Sequence, residues 1–179
     1  MNRLCRHFLS LVLILAFLCT SVTAFAKTDT SVGIDLLNRE AQSFNIDWDG
    51  KQGTVTVSEA LPAGPQPRFD YNLNEGVGTW TRNIYYTIGI WTLSYTVKYT
   101  INSNYRVTIH DLYDFGNMAI LVGLEHTEAK IVNSTETSTS PAECFSTWRV
   151  TVSSNGLSAG QTVTVRCKFK DSVLHVSLG

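Results

Sequence analysis

Catalytic signatures are missing from these 179 residues. No G-x-S-x-G elbow occurs, nor the strand-turn-helix setting that an elbow needs, which argues against a hydrolase serine of that type. There is no C-x-x-C pair, and thiols and imidazoles do not cluster at ligand spacing. A dithiol redox centre and a zinc site are therefore not indicated. Charges of both signs are scattered, with no basic stripe of the kind phosphate backbones demand, so nucleic acid is not an expected partner. Helical periodicity is almost absent: Ile34 to Ala41 suggests one helical turn and nothing else does. No apolar run reaches the roughly 20 residues of a membrane span.

The longest such run, Leu9 to Leu18, follows Arg3 and Arg6 and precedes Ala24-Phe25-Ala26. Positive n-region, apolar h-region and small residues before Lys27 make a secretory signal peptide over residues 1–26. Cys19 is preceded by Leu18, where lipidation would call for a small side chain, so a lipid anchor is rejected. The expected organisation is a signal over 1–26, a lead-in over 27–40 and one β domain over 41–179. No stable membrane insertion is expected after cleavage. With Arg3 and Arg6 removed, the 14 basic side chains fall to 12 against 15 acidic ones, a net charge of −3.

Cleavage also removes Cys5 and Cys19, which leaves Cys144 and Cys167. An even pair in an exported chain reads as a disulfide. Closing that loop is worth about 3 kcal/mol in the chain-entropy model.

Most of the chain alternates with period two. Leu93, Tyr95, Val97, Tyr99 and Ile101 alternate with polar neighbours, Asn102-Ser103-Asn104 turns the chain, and Tyr105, Val107 and Ile109 return. Trp148, Val150 and Val152 repeat the pattern, as do Val163, Val165, Cys167 and Phe169. Lys170-Asp171-Ser172 turns into a last strand, Val173 to Leu178. Cys144 shares parity with Trp148, and Cys167 lies in an apolar register, so both sulfurs are expected to face a core. Gln42 to Trp48 and Gly53 to Val57 flank Asp49-Gly50-Lys51-Gln52, a hairpin signal. Leu61 to Pro67 holds three prolines, cannot be a central strand and reads as a crossover loop. Asn133 to Pro141, rich in Ser and Thr, reads as a surface loop. Met118 to Leu124 reads as a strand buried on both faces.

Eight or so strands without helices predict an all-β fold, an antiparallel β-sandwich with a small β-barrel as the alternative. Ile34-Asp35-Leu36, Gln42-Ser43-Phe44, Gly53 to Val57, Gly78-Thr79-Trp80 and Trp91 to Tyr95 are similar to segments of a family of small exported domains from Gram-positive bacteria. That resemblance implies a β-sandwich of unknown function and an extracellular, bacterial setting. The Cys144–Cys167 pair is not assigned to the family pattern.

Candidate chemistry is sparse. His110 and His175 fall in polar registers and are expected to be solvated, whereas His126 sits between Glu125 and Glu128. Any of them would need a Ser and an acid brought together in space to make a hydrolytic site. Asp47-x-Asp49-Gly50 resembles the start of a calcium loop, but no later acid completes it, and a hairpin turn explains the same residues. His110, Asp111 and Asp114 form a second cluster that suits a strand end. Asn133-Ser134-Thr135 fits a glycosylation acceptor, incidental in a bacterium. Trp80, Tyr85, Tyr86 and Trp91 are the candidate ligand platform, on which sugar rings would stack; packing inside a sandwich accounts for the same aromatics. The expectation is a secreted, non-enzymatic module binding a protein or glycan, without cofactor or metal. A small hydrolase and a passive envelope component are the alternatives.

Overall fold

A computed structural model describes residues 31–63, 76–120, 122–154 and 157–179. The expected signal, residues 1–26, and Gly64 to Pro67 of the proline-rich stretch lie outside them. In chain order the strands are β1 (Ser31–Asp35), β2 (Gln42–Trp48), β3 (Lys51–Val57), β4 (Leu61–Pro62), β5 (Gly78–Ile88) and β6 (Trp91–Ile101). They continue with β7 (Val107–Ala119), β8 (Gly123–Asn133), β9 (Ala142–Ser154), β10 (Leu157–Lys170) and β11 (Val173–Leu178). One antiparallel sheet runs β1-β11-β10-β9-β8 and the other β2-β3-β5-β6-β7, with β4 added to β5. The two open sheets pack face to face as a β-sandwich, so the barrel alternative is set aside.

Local chemistry explains each reversal. Asp49 and Gly50 both hold positive φ (52° and 72°), as a two-residue hairpin turn requires, and the Gly50 amide donates to Asp47 Oδ1 at 3.0 Å. Asn102 Oδ1 accepts from the Asn104 and Arg106 amides and closes the β6–β7 turn. The turns after β2, β5 and β7 collect at one end of the sandwich, the tips. The β1–β2, β6–β7, β8–β9 and β10–β11 connections collect at the other, the base.

The inward registers form the core. Leu93, Tyr95, Val97, Tyr99 and Ile101 on β6 meet Trp148, Val163, Val165, Cys167 and Phe169 from the opposite sheet. Burying each large apolar side chain contributes about 1.5–3 kcal/mol.

Three expectations need correcting. Ile34 to Ala41 makes no helical turn: Ser31–Asp35 is a strand, with Ile34 and Leu36 buried and Asp35 Oδ1 capping the following bend through the Leu37 amide. Pairing of β1 with β11 satisfies its backbone, so part of the expected lead-in belongs to the sheet. Met118 to Leu124 is not a strand buried on both faces. It spans the end of β7, the turn between the sheets and the start of β8, and Met118 and Ile120 are exposed. In a two-layer sandwich a strand turns at most one face to the other sheet, and Met118 and Ile120 stand at the end of an edge strand, in solvent. Leu61–Pro62 is not purely loop, since it pairs as a short edge with Trp80 and Thr81.

Candidate functional site

A groove of about 380 Å³ opens between the two sheets at the tips, lined by Trp48, Lys51, Trp91, Val150, Val152, Gly160 and Gln161. That volume lies at the small end of the range for ligand pockets. Its walls come from four places in the sequence. The β2–β3 hairpin sets Trp48 opposite Lys51. Trp91 opens β6 and faces Ala119 of β7. Val150 and Val152 on β9, with Gly160 and Gln161 on β10, supply the other sheet.

The polar groups converge on the same space. The Lys51 ammonium stands 5.9 Å from the Trp48 ring centroid, a cation–π arrangement. Gln161 Nε2 donates to Asp49 Oδ2 at 3.3 Å and so ties the two sheets across the groove. Tyr86 packs beneath, edge-on to Trp91 with ring centroids 5.5 Å apart. It fits only because residue 53 is glycine: a Cβ there would sit 2.6 Å from Tyr86 Cε2. Burial, with a smaller contribution from Asp47, pushes the Tyr86 phenol up to about 12. Its hydroxyl is buried and has no hydrogen-bond partner among the described residues.

The four aromatics of the expected platform do not share a surface. Trp80 is buried, donates from Nε1 to Gly76 O at 2.9 Å, and carries the Arg39 guanidinium over its ring at 4.5 Å. Tyr86 is buried as well. Tyr85 points to the outer face of its sheet, where its hydroxyl accepts from Asn83 Nδ2 at 3.1 Å. Trp91 alone lines the groove, and Trp48 is the indole that joins it. Parity explains the split: consecutive residues of β5 face opposite ways, so Tyr85 and Tyr86 cannot stand side by side.

The histidines also separate. His110 is exposed and bonds Thr100 Oγ1 through Nε2 at 2.7 Å; His175 is exposed on β11. His126 stacks on Phe115 with centroids 4.2 Å apart, and its Nε2 lies 3.0 Å from Ser146 Oγ. Ser146 is fully buried beside Glu128 O, so its hydroxyl meets no substrate. Among the described residues no three His, Cys, Asp or Glu side chains converge on a metal position. Asp47 and Asp49 serve the hairpin turn and the Gln161 contact. Asn133, the glycosylation candidate, donates from Nδ2 to Pro141 O at 2.6 Å.

Cys144 and Cys167 are directly opposite each other on β9 and β10, both fully buried. They are free thiols here, and the expected bond between them is not formed. Tyr95 Oη lies 2.9 Å from Cys167 Sγ. The hydrogen bond to Cys167, and then burial, push the Cys144 thiol well above its usual range.

No protein-family model matches this chain, and no curated protein matches it either. Among solved structures it is similar to the crystal structure of a hypothetical protein from Listeria monocytogenes EGD-e. The two share 22% identity over 81% of this chain and 98% of that one, with a TM-score of 0.41.

Proposed function

We propose that this chain is an exported, non-enzymatic module that binds a glycan in the groove between its sheets. The observation that carries the reading is the pairing of Trp48 and Trp91 with Lys51 and Gln161 around one open groove. Indole faces offer apolar area to a pyranose ring, while an ammonium and an amide supply directed hydrogen bonds to its hydroxyls. The N-terminal signal over residues 1–26 supports delivery to the cell exterior, in the bacterial setting the sequence suggests. The facing Cys144 and Cys167 thiols, unbonded in this structure, would join as a disulfide in that oxidising compartment.

The hydrolase alternative has one contact in its favour, His126 to Ser146, and burial of Ser146 removes the nucleophile from reach. A panel of immobilised cell-wall and host glycans, probed with wild type and Trp91→Ala, tests the binding reading. Retention on at least one glycan that drops tenfold or more in the variant is expected. Equal retention by both proteins, or none by either at high concentration, rules the groove out.

A further inference from the structure

Two neighbouring turns at the tips carry large apolar side chains into solvent. Ile90, between β5 and β6, is 49% exposed; Met118 and Ile120, at the end of β7 and just after it, are 70% and 63% exposed. The Ile120 amide donates to Ile90 O at 3.0 Å, so the turns form one surface. Trp91 sits directly behind them, paired with Ala119. Both segments lack charge over long stretches, from Asn83 to Val97 and from Phe115 to Leu124. Among the described residues the other exposed large apolar side chains do not gather this way. Leu37, Leu61 and Tyr105 lie at the base among Arg39, Glu40, Glu59 and Arg106; Val132 stands near the end of β8, and Val152 belongs to the groove.

We propose that the β5–β6 and β7–β8 tips dock this protein on a lipid surface, peripherally, with Ile90, Met118 and Ile120 entering the interfacial zone. A stable protein interface engages about 20–30 residues a side, and three protruding side chains on two turns do not offer that. A bilayer interface accepts such small apolar points, and an indole just behind them sits well at headgroup depth. Charge selects the kind of surface. On the neighbouring β2–β3 hairpin of the same sheet, Asp47 and Asp49 are engaged by the Gly50 amide and Gln161, and Lys51 beside them is a single cation rather than the basic cluster an anionic surface would call for. On the docking turns themselves the nearest charged positions in sequence are Arg82, Lys98, Asp114 and Glu125. Contact through uncharged turns favours a zwitterionic lipid surface and little dependence on salt. It rests on the exposed turns rather than on the glycan reading, although Trp91 borders both surfaces.

The test is flotation of the protein as recovered after export, beginning at Lys27, with phosphatidylcholine vesicles at low and high salt, for wild type and the triple variant Ile90→Ser, Met118→Ser, Ile120→Ser. All three positions are exposed, and circular dichroism checks that the variant keeps its fold. Without residues 1–26 the apolar run Leu9 to Leu18 cannot hold either protein on the vesicles and mask the tips. A fall of at least tenfold in partitioning for the triple variant is expected, with less than a twofold effect of salt. The double variant Leu61→Ser, Tyr105→Ser, at the base, should partition as wild type does. Quenching of the Trp91 signal by brominated phosphatidylcholine, read as the difference between wild type and Trp91→Phe, should appear and vanish with the triple variant. Equal partitioning of wild type and triple variant, absence of Trp91 quenching, or loss of binding at high salt would overturn the proposal. So would self-association of wild type without vesicles that the triple variant abolishes, which would assign the tips to a second copy of the chain.

Discussion

At the base, Arg82 and Glu136 are 1% and 2% exposed and tie loops and turns to the sheets. Arg82 donates to the carbonyls of Leu36, Asn38 and Ser58 and to the Tyr99 hydroxyl. Glu136 accepts the Val107 and Asp171 amides and pairs with Lys170. At the tips, among the described residues, no charged side chain is buried in this way. The turns there are held by short-range turn geometry, and they present indoles and aliphatic side chains instead. Burying a charge costs several kcal/mol unless each of its polar atoms is satisfied. That cost is accepted where the chain must be fixed and avoided where a surface is displayed. The contrast extends to the two buried tyrosines. Arg82 offsets part of the burial that raises the Tyr99 phenol, while Tyr86 beneath the groove has no such partner.

The base side of this contrast breaks most visibly at Arg82. Arg82→Met keeps the stem but removes the guanidinium from the Leu36 and Ser58 carbonyls and leaves Asn38 O only the 3.4 Å bond from Gln42 Nε2, and a loss of about 4 kcal/mol is expected in urea unfolding. A loss under about 1 kcal/mol would mean that the guanidinium is not the tie. Glu136→Ala orphans the Val107 and Asp171 amides, and about 3 kcal/mol should go, with hydrogen exchange accelerated first around residues 134–141. Next in size is the cystine. If Cys144 and Cys167 join after export, reductant should lower the stability of secreted protein by about 3 kcal/mol, and Cys144→Ala should erase that dependence. Free thiol titrated in unfolded, never-reduced protein would contradict it.

At the tips the expected effects are smaller and fall on binding. Gln161→Ala should weaken glycan retention several-fold while moving the unfolding midpoint little, because its bond to Asp49 is exposed. Tyr86→Phe removes a buried hydroxyl without a partner, so stability at neutral pH should hold or rise by about 1 kcal/mol. The same residue sets a pH dependence. Its folded pKa, about 12, lies above the unfolded value near 10, so the neutral phenol's contribution is complete below pH 10 and is lost as pH rises towards 12. Denaturant midpoints between those values should fall less steeply for Tyr86→Phe than for wild type.

Much of the sandwich is legible in the sequence because period two is strict where one face is buried. The inward set on β6, the Cys144–Trp148–Val150 register and the turns at Asp49-Gly50 and Asp171-Ser172 all follow from residue order. What escaped is what depends on partners far away. β1 is five residues long and becomes a strand only by pairing with β11 at the other end of the chain. The run Met118 to Leu124 carries no mark that its strands are edges. In the groove, Asp49 meets Gln161 across 112 residues, a closeness no local pattern announces. Trp48 had one readable signal: it precedes the Asp49-Gly50 turn in register with Ile46, which puts an inward-facing indole at a hairpin end.

The most direct test of the tip-and-base division is an NMR titration of the protein with the glycan it retains. The account requires the largest shifts at the Trp48 and Trp91 indoles and the Gly160 and Gln161 amides, with the Asp171 and Ser172 amides at the base unmoved. Shifts centred on the base, or spread evenly over the outer faces of the sheets, would contradict it.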